Sequence, residues 1–97
     1  MDRVFEALAH PTRRAVLELL RGGGMTAGAI AERFPVSKPT MSAHFVALRD
    51  AGLILAERRG ASTVYTLNLS VLQEVMMGFM GRFGVGEEEE EACRTAR

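Results

Sequence analysis

The segment from residue 37 to residue 46 gathers the side chains best suited to recognising another molecule. Ser37 and Lys38 precede Pro39, and proline is tolerated in the first turn of a helix, so we expect a helix capped by Ser37 to begin here. Free backbone amides at a helix N-terminus favour a phosphate group. We therefore expect Ser37, Lys38 and Thr40 to lie at a phosphate backbone or a groove edge, and Ser42 to reach a base edge.

The apolar residues of the same segment predict which face of this helix points outward. Met41, Phe45 and Leu48 follow helical spacing and would form its buried back. The opposite face would carry small side chains and a hydroxyl group, on Pro39, Ser42, Ala43 and Val46. Ala43 and Val46 suit contacts with thymine methyl groups in the major groove of DNA. The alternative is that these residues are simply the cap and the surface of a solvated helix.

Two adjacent arginines form a second candidate contact. Arg58 and Arg59 begin a predicted turn, residues 58–62, between two strand-like segments. An arginine in such a turn contacts phosphates or enters a narrow minor groove. A solvated hairpin tip is an equal alternative for one arginine, but two in succession favour binding. We expect both to contact DNA.

Four further side chains have roles that the sequence leaves open. His44 lies beside the apolar back of its helix, where a half-buried, hydrogen-bonded histidine is at least as plausible as a DNA contact. Arg49, late in the same helix, would contact a phosphate or form a salt bridge. Arg13 and Arg14 start an earlier helix, where the dipole does not favour cations. Each would need a phosphate or an acidic partner, and we expect a salt bridge for at least one.

Five helices and one hairpin are predicted to position these residues. The helices cover residues 2–9, 11–21, 27–33, 37–51 and 70–83, and the strand-like segments cover residues 53–57 and 63–67. The predicted N-caps are Asp2, Thr26, Ser37 and Ser70, and Gly52 is the predicted residue after a helix C-cap. This order is that of a winged helix-turn-helix, so the predicted fold class is mainly α with a small β-hairpin.

The last predicted helix is apolar over more of its circumference than one core contact requires. The side chains in question are Val75, Met76, Phe79, Met80 and Phe83. A monomer of this size could not bury all of them, so we expect packing between two subunits. A two-fold dimer would hold two recognition helices about one DNA turn apart, which predicts an inverted-repeat operator.

Three stretches of sequence resemble the ArsR family of bacterial repressors, and within it the SdpR-like branch. They are HPTRRAVLELLRGG, MTAGAIAERFPVSKPTMSAHFVALRDAGLI and RRGASTVYTLN, and the resemblance covers residues 2–83. It implies a recognition helix in the major groove, a wing beside the backbone, and a dimer built from the first and last helices. The implied interface therefore adds Val4, Phe5, Leu8 and Leu72 to the residues above.

Two positions depart from the family's pattern. His10 stands where the family usually has an acidic residue or another N-cap, and Ala43 replaces the first of two histidines that are frequent in the recognition helix. The second departure leaves the identity of one base contact open.

Length and charge agree with one small DNA-binding domain. The chain has 97 residues and a formal net charge of zero. Residues 13–59 nevertheless carry eight basic and four acidic side chains, a net charge of +4, whereas five of the acidic residues form the run Glu87–Glu91. We expect residues 1–83 to form the DNA-binding and dimerisation domain and residues 84–97 to form a disordered acidic tail.

Several classes of protein are not expected. The third helix has no cysteine and the last has no histidine, so we expect no metal at the positions where related repressors sense metals. There is no nucleophile constellation or phosphate-binding loop, so we expect neither an enzyme nor a cofactor. The apolar runs are too short to span a bilayer. A single cysteine, Cys93, and no signal-peptide pattern indicate the cytoplasm.

Three functional hypotheses follow from these observations. The first is a homodimeric, sequence-specific repressor that binds double-stranded DNA, with its own gene as one target. The alternative is a winged-helix interaction module that dimerises without binding DNA. The third is a repressor that also senses a ligand between the last helices or an oxidant through Cys93; the sequence does not identify the inducer.

Overall fold

The computed structural model describes residues 1–84, which form five helices and a three-stranded sheet. The helices are α1 (Asp2–Leu8), α2 (Pro11–Leu19), α3 (Ala27–Ala31), α4 (Lys38–Asp50) and α5 (Leu69–Arg82), and the strands are β1 (Met25–Thr26), β2 (Ile54–Arg59) and β3 (Ser62–Leu67). A short 3-10 turn, Leu20–Gly22, follows α2. The predicted winged helix-turn-helix order is confirmed. No helix of residues 1–84 is both long and apolar enough to cross a membrane.

The core lies where the first four helices meet the sheet. Its buried side chains are all apolar or aromatic: Val4, Ala7, Val16, Leu17, Leu20, Ile30, Met41, Phe45, Leu48, Leu53, Ile54 and Tyr65. Within residues 1–84 no charged side chain is buried. Burial of apolar surface, at roughly 25 cal/mol per Å2, therefore holds α4 and the hairpin on the same core.

Side-chain and glycine caps define both ends of the helix-turn-helix as predicted. The Thr26 hydroxyl accepts a hydrogen bond from the Ala29 amide at 3.1 Å, and the Ser37 hydroxyl accepts one from the Thr40 amide at 3.3 Å. At the end of α4, Gly52 has a φ of +78°. Its amide bonds to the Arg49 carbonyl at 2.9 Å, and the Leu53 amide bonds to the Leu48 carbonyl at 3.0 Å. This pair of bonds is a Schellman motif.

Two predicted N-caps are wrong. Met1 precedes α1, and Asp2 lies inside its first turn, where a carboxylate still complements the helix dipole. Asn68, not Ser70, precedes α5. The Asn68 amide bonds to the Leu53 carbonyl at 2.9 Å, so the chain leaves the sheet there and turns directly into the helix. The third helix is also shorter than predicted, because it ends at Ala31.

The strand β1 was not predicted, and it extends the hairpin to a sheet of order β1-β3-β2. Met25 pairs with Tyr65 and Thr26 with Val64, both antiparallel. Two residues are too few to show an alternating pattern, so this strand could not be predicted from the sequence. Because Thr26 also caps α3, the sheet ties the start of the helix-turn-helix to the wing.

Gly24 is required where β1 approaches β3. A Cβ atom at this position would lie 2.9 Å from Thr66 Cγ2, 3.1 Å from Val64 Cγ1 and 3.5 Å from the Tyr65 carbonyl oxygen. Such distances force a neighbouring side chain to move, and forced shifts of this kind cost about 1–3 kcal/mol.

We expect Gly24→Ala to lower the free energy of unfolding by about 1–3 kcal/mol, as measured by urea denaturation. Gly22→Ala is the matched control, because its Cβ would meet no described atom within 4 Å. The control should be neutral or slightly stabilising. Equal losses in the two variants would contradict the close approach.

Candidate nucleic-acid interface

One face of α4 is buried and the other is open. Met41, Phe45 and Leu48 are 1%, 6% and 0% exposed, which confirms the prediction that they form the buried side of the helix. The predicted contact residues that the helix and its cap supply are all exposed: Ser37, Lys38, Thr40, Ser42, Ala43 and Val46. All six are therefore accessible, and together they supply donors, one cation and small apolar groups.

The two hydroxyl groups at the start of α4 are linked. Ser37 accepts from the Thr40 amide and donates to Thr40 Oγ1 at 2.9 Å. The Ser37 hydroxyl is thereby used within the cap, whereas the Thr40 hydroxyl keeps its own proton for an outside acceptor. Thr40 and Lys38 are consequently the donors that remain available at this end of the helix, whereas Ser37 stabilises the start of the helix as its cap.

The two arginines of the hairpin end β2 and do not lie in the turn. Arg58 pairs with Thr63 and Arg59 with Ser62, so the turn itself contains Gly60 and Ala61, and the prediction of a 58–62 turn is wrong. Gly60 has a φ of +60°, which suits the first central position of a two-residue hairpin turn of type II′. Successive residues of a strand point to opposite faces, so the two arginines also point to opposite faces.

Strand register identifies the arginine on the side of α4. Arg58 shares its face with Thr63 and, two residues along β3, with Tyr65. Thr63 and Tyr65 line a groove of about 320 Å3 together with Lys38, Ser42 and Val46 of α4. Arg58 therefore lies on the sheet face that borders the exposed surface of the recognition helix.

Arg59 occupies the other face of the hairpin. Its guanidinium forms an ion pair with Glu57 at 3.4 Å, and both side chains are largely exposed. Glu57 lies two residues away on the same strand and hence on the same face. The two arginines were predicted to act alike, and the alternation of side chains within a strand was the signal that could have separated them.

Arg13 and Arg14 do not form the expected salt bridge. Among residues 1–84, Glu57–Arg59 is the ion pair that the structure shows. Arg14 Nη1 donates to the Leu8 carbonyl at 2.7 Å, and Arg13 Nη1 donates to the Glu6 carbonyl at 3.4 Å. Both acceptors lie near the C-terminal end of α1, where backbone carbonyls carry partial negative charge, so they take the place of an acidic side chain. The Glu6 carbonyl also accepts from the Ala9 amide at 3.2 Å.

His44 is half-buried and hydrogen-bonded. Arg13 Nε donates to His44 Nδ1 at 3.0 Å, and the His10 and His44 rings lie 5.8 Å apart. Burial lowers the pKa of His44 below its ordinary value of 6.5, and the positive charges of Arg13 and His10 lower it further. The lowered pKa of His44 favours the neutral ring at pH 7. Arg49 is exposed in the last turn of α4.

The helix α5 presents apolar side chains on two adjoining faces. Val71 and Val75 pack against the core, and Phe79 contacts Phe5 of α1 edge-on with ring centroids 4.7 Å apart. The neighbouring face remains open, since Met80 and Phe83 are 46% and 64% exposed. Along Leu69–Arg82 no residue is fully buried. Val4, in contrast, is only 4% exposed and belongs to the core of its own subunit.

A metal centre is not apparent in residues 1–84. In that part of the chain no three histidine, cysteine, aspartate or glutamate side chains form a group that could hold a metal ion. The acidic run Glu87–Glu91, Cys93 and the tail predicted for residues 84–97 fall, apart from residue 84, outside the described residues.

Comparisons with known proteins agree with this geometry. Residues 8–57 match the family described as helix-turn-helix domain. The chain is 43% identical to the transcriptional repressor SdpR of Bacillus subtilis (strain 168) over 89 residues, which is 92% of this chain and 99% of that protein.

Two solved structures have the same fold. One is an ArsR family transcriptional regulator, with a TM-score of 0.79 and 29% identity over 89% of each chain. The other is a homodimeric winged helix-turn-helix DNA-binding domain from Mycobacterium bovis, with a TM-score of 0.68 and 30% identity over 86% of this chain and 78% of that one.

Substitutions of Ser37 separate its role as a cap from a contact with DNA. We expect Ser37→Ala to lower the free energy of unfolding by about 0.5–2 kcal/mol, because the Thr40 amide loses its acceptor, whereas Ser37→Gly should cost only a few tenths. Urea denaturation measures this difference. Equal stabilities would contradict the cap. DNA affinity that falls equally in both variants would show that the hydroxyl itself contacts DNA.

Proposed function

Since the chain belongs to the ArsR family of winged helix-turn-helix transcriptional repressors, we propose that it binds an inverted-repeat operator as a homodimer. In this proposal α4 enters the major groove and the β2–β3 hairpin lies beside the backbone. The observation that carries it is the division of α4 into one buried and one open face. The promoter of its own gene is the first operator to examine, and the cytoplasm is the compartment we propose.

The proposed roles of the α4 residues follow from their chemistry and exposure. Lys38 and Thr40 contact phosphates or the groove edge, because both place donors at the helix N-terminus. Ser42 reaches a base edge, and Ala43 and Val46 contact thymine methyl groups. Ser37 contributes through the cap. Exposed donors beside small apolar groups suit a groove of DNA better than a protein partner, so the interaction module is not favoured.

Four arginines and one histidine have lesser or different roles in this proposal. Arg58 contacts the backbone or the minor groove, since it lies on the hairpin face that borders α4. Arg59 lies on the other face with Glu57 and contributes less. Arg49 is exposed in the last turn of α4 and contacts a phosphate. Arg14 and His44 are already bonded within the subunit and are proposed not to contact bases.

The proposed dimer is built on the open face of α5. Leu72, Val75 and Met76 are half-buried, whereas Phe79, Met80 and Phe83 are exposed. Phe5 of α1 contacts Phe79, and the proposal adds Leu8, which lies three residues further along α1 and is half-buried. A second copy would bury an apolar surface that otherwise contacts water. Val4 is left out of this interface, because the subunit already buries it. A two-fold axis through α5 places two copies of α4 for two half-sites.

We expect selection from a random duplex pool to recover inverted repeats with half-site centres about one helical turn apart. Met80→Glu should dissociate the dimer, because a carboxylate would be buried against apolar side chains. It should weaken binding to the full repeat by at least about 100-fold, since two linked half-sites act together. Affinity for a single half-site should be nearly unchanged. Sedimentation and fluorescence anisotropy measure the two effects.

Leu55→Glu is the control for Met80→Glu. Leu55 is 54% exposed, similar to Met80, but it lies on β2, away from α1 and α5. This variant should remain a dimer. Selected sequences without two-fold symmetry, or a Met80→Glu dimer of normal stability, would overturn the proposed assembly.

The hairpin register predicts unequal effects for its two arginines. Arg58→Ala should weaken operator binding by roughly tenfold and reduce the slope of log affinity against log salt concentration by about 2 per dimer, because each subunit loses one phosphate contact. Arg59→Ala removes the same charge and serves as the matched control, with a clearly smaller effect. Equal losses would mean that the charge matters and the strand face does not. Anisotropy titrations at several salt concentrations distinguish these outcomes.

A further inference from the structure

One side chain, that of Arg13, forms hydrogen bonds both to the first helix and to the recognition helix. Arg13, in the first turn of α2, donates from Nη1 to the Glu6 carbonyl of α1 at 3.4 Å and from Nε to His44 Nδ1 of α4 at 3.0 Å. Phe5, on the same helix as Glu6, contacts Phe79 of α5. A continuous set of contacts therefore leads from the α5 face to the middle of the DNA-reading helix.

We propose that Arg13 is a positioning residue for the recognition helix, and that protonation of His44 breaks this connection and weakens the discrimination between operator and other DNA. The proposal rests on the proposed function, since it assumes that α4 reads the operator. It goes beyond that function because it assigns a pH response to side chains that do not contact DNA.

The chemistry of the two groups sets the protonation state that the contact needs. An arginine Nε–H donates only, so His44 Nδ1 must be without a proton and Nε2 must carry the single proton of the neutral ring. A protonated imidazole has N–H groups on both nitrogens. Arg13 would then lose its acceptor and face a second cation at the same distance. The contact therefore exists only in the neutral state.

The charged groups around His44 oppose its protonation. Arg13 of α2 and His10, the N-cap of that helix, face the ring. Arg3 and Glu6 of α1 and Asp50 of α4 line a polar cleft of about 330 Å3 together with Arg13. Burial is the main reason that the pKa of His44 falls below 6.5, and the charges of Arg13 and His10 add to it.

The direction of the pH effect follows from this lowered pKa. The folded protein prefers neutral His44, so its stabilising contribution is fully present above the unfolded pKa of about 6.5. It is lost as the pH falls through the lower pKa of the folded state. We expect the loss on the acidic side of neutrality, where a change in histidine charge is common in pH-sensitive proteins.

The test compares discrimination at two pH values. Affinities for the selected inverted repeat and for a random duplex of equal length are measured at pH about 7.5 and about 5.5. Added positive charge strengthens binding to both duplexes, so the ratio of the two affinities isolates the positioning effect. For the unaltered protein we expect the ratio to fall by about tenfold at the lower pH.

His44→Asn supplies the critical variant. The asparagine oxygen can accept from Arg13 but does not titrate in this range, so its ratio should stay close to the neutral value at both pH values. Arg13→Met keeps much of the side-chain length without the donors, and its ratio should be low at both. Two results would overturn the proposal. One is a His44→Asn protein whose ratio of operator affinity to random-duplex affinity falls at low pH as much as that of the unaltered protein. The other is an Arg13→Met protein whose ratio is as high as that of the unaltered protein at pH about 7.5.

His10→Asn identifies the titrating group. The fall in the ratio should persist in this variant and move to higher pH, because one positive neighbour of His44 is removed. If the fall disappears instead, His10 is the sensor and the proposal is wrong. Dimerisation of each variant should be unchanged by sedimentation, since none of the three side chains belongs to the open face of α5.

A measurement without DNA separates this proposal from the proposed function. Nitrogen-resolved NMR of the imidazole rings should show His44 as the Nε2–H tautomer with a pKa below 6.5, and a mixture of tautomers in Arg13→Met. If no operator is found but this tautomer is observed, the proposed function fails and the contact stands. If the tautomer is absent, the positioning proposal fails whatever the operator.

Discussion

The rotation of α4 about its own axis is determined by the burial of three side chains, Met41, Phe45 and Leu48, in one core. Each such side chain contributes about 1.5–3 kcal/mol when fully buried, whereas a whole domain of this size is stable by only about 5–15 kcal/mol. A rotation by one residue, about 100°, would forfeit a large part of that total. The same burial positions the wing, because Phe45 packs on Tyr65 with ring centroids 4.7 Å apart. The open face of α4 and the Arg58 face of the hairpin are thus oriented by one set of contacts.

The features that the sequence predicted well are those with local signals. The buried stripe of α4 recurs at helical spacing, and Thr26, Ser37 and Gly52 mark helix ends through bonds to residues three or four positions away. The features that it did not predict depend on parts of the chain that are distant in sequence. The strand β1 exists only because Tyr65 and Val64 lie beside it. The separation of the two hairpin arginines required the strand register. The predicted salt bridge failed because Arg13 and Arg14 bond to backbone carbonyls of α1, and Arg13 also to His44; none of these acceptors is an acidic side chain.

The helix α5 illustrates a different limit. Its composition shows that one contact surface cannot cover it, and the structure agrees, since Val71 and Val75 pack against the core while Met80 and Phe83 stay open. Phe79 lies between them, in contact with Phe5 but still 39% exposed. The sequence alone could not divide these residues between the two faces, because both faces are apolar and adjoin each other. Val4 shows the reverse case, in which an expected interface residue belongs to the subunit core. An apolar pattern therefore indicates how much surface must be covered, but it does not show which residues face the subunit core and which face a second subunit.

The distribution of charge bears on how such a protein selects its operator. Binding to DNA of any sequence draws on counterion release, which grows with the number of phosphates that lysine and arginine neutralise. Here the net charge of residues 13–59 is only +4, and two of their eight cations, Arg13 and Arg14, bond to the protein's own carbonyls, so fewer cations remain for the backbone. A larger share of the operator affinity must then come from base-edge and methyl contacts, which are sensitive to small displacements of the reading helix. The contacts that orient α4 are then more important for operator affinity, and the hydrogen bond from Arg13 to His44 is one of them.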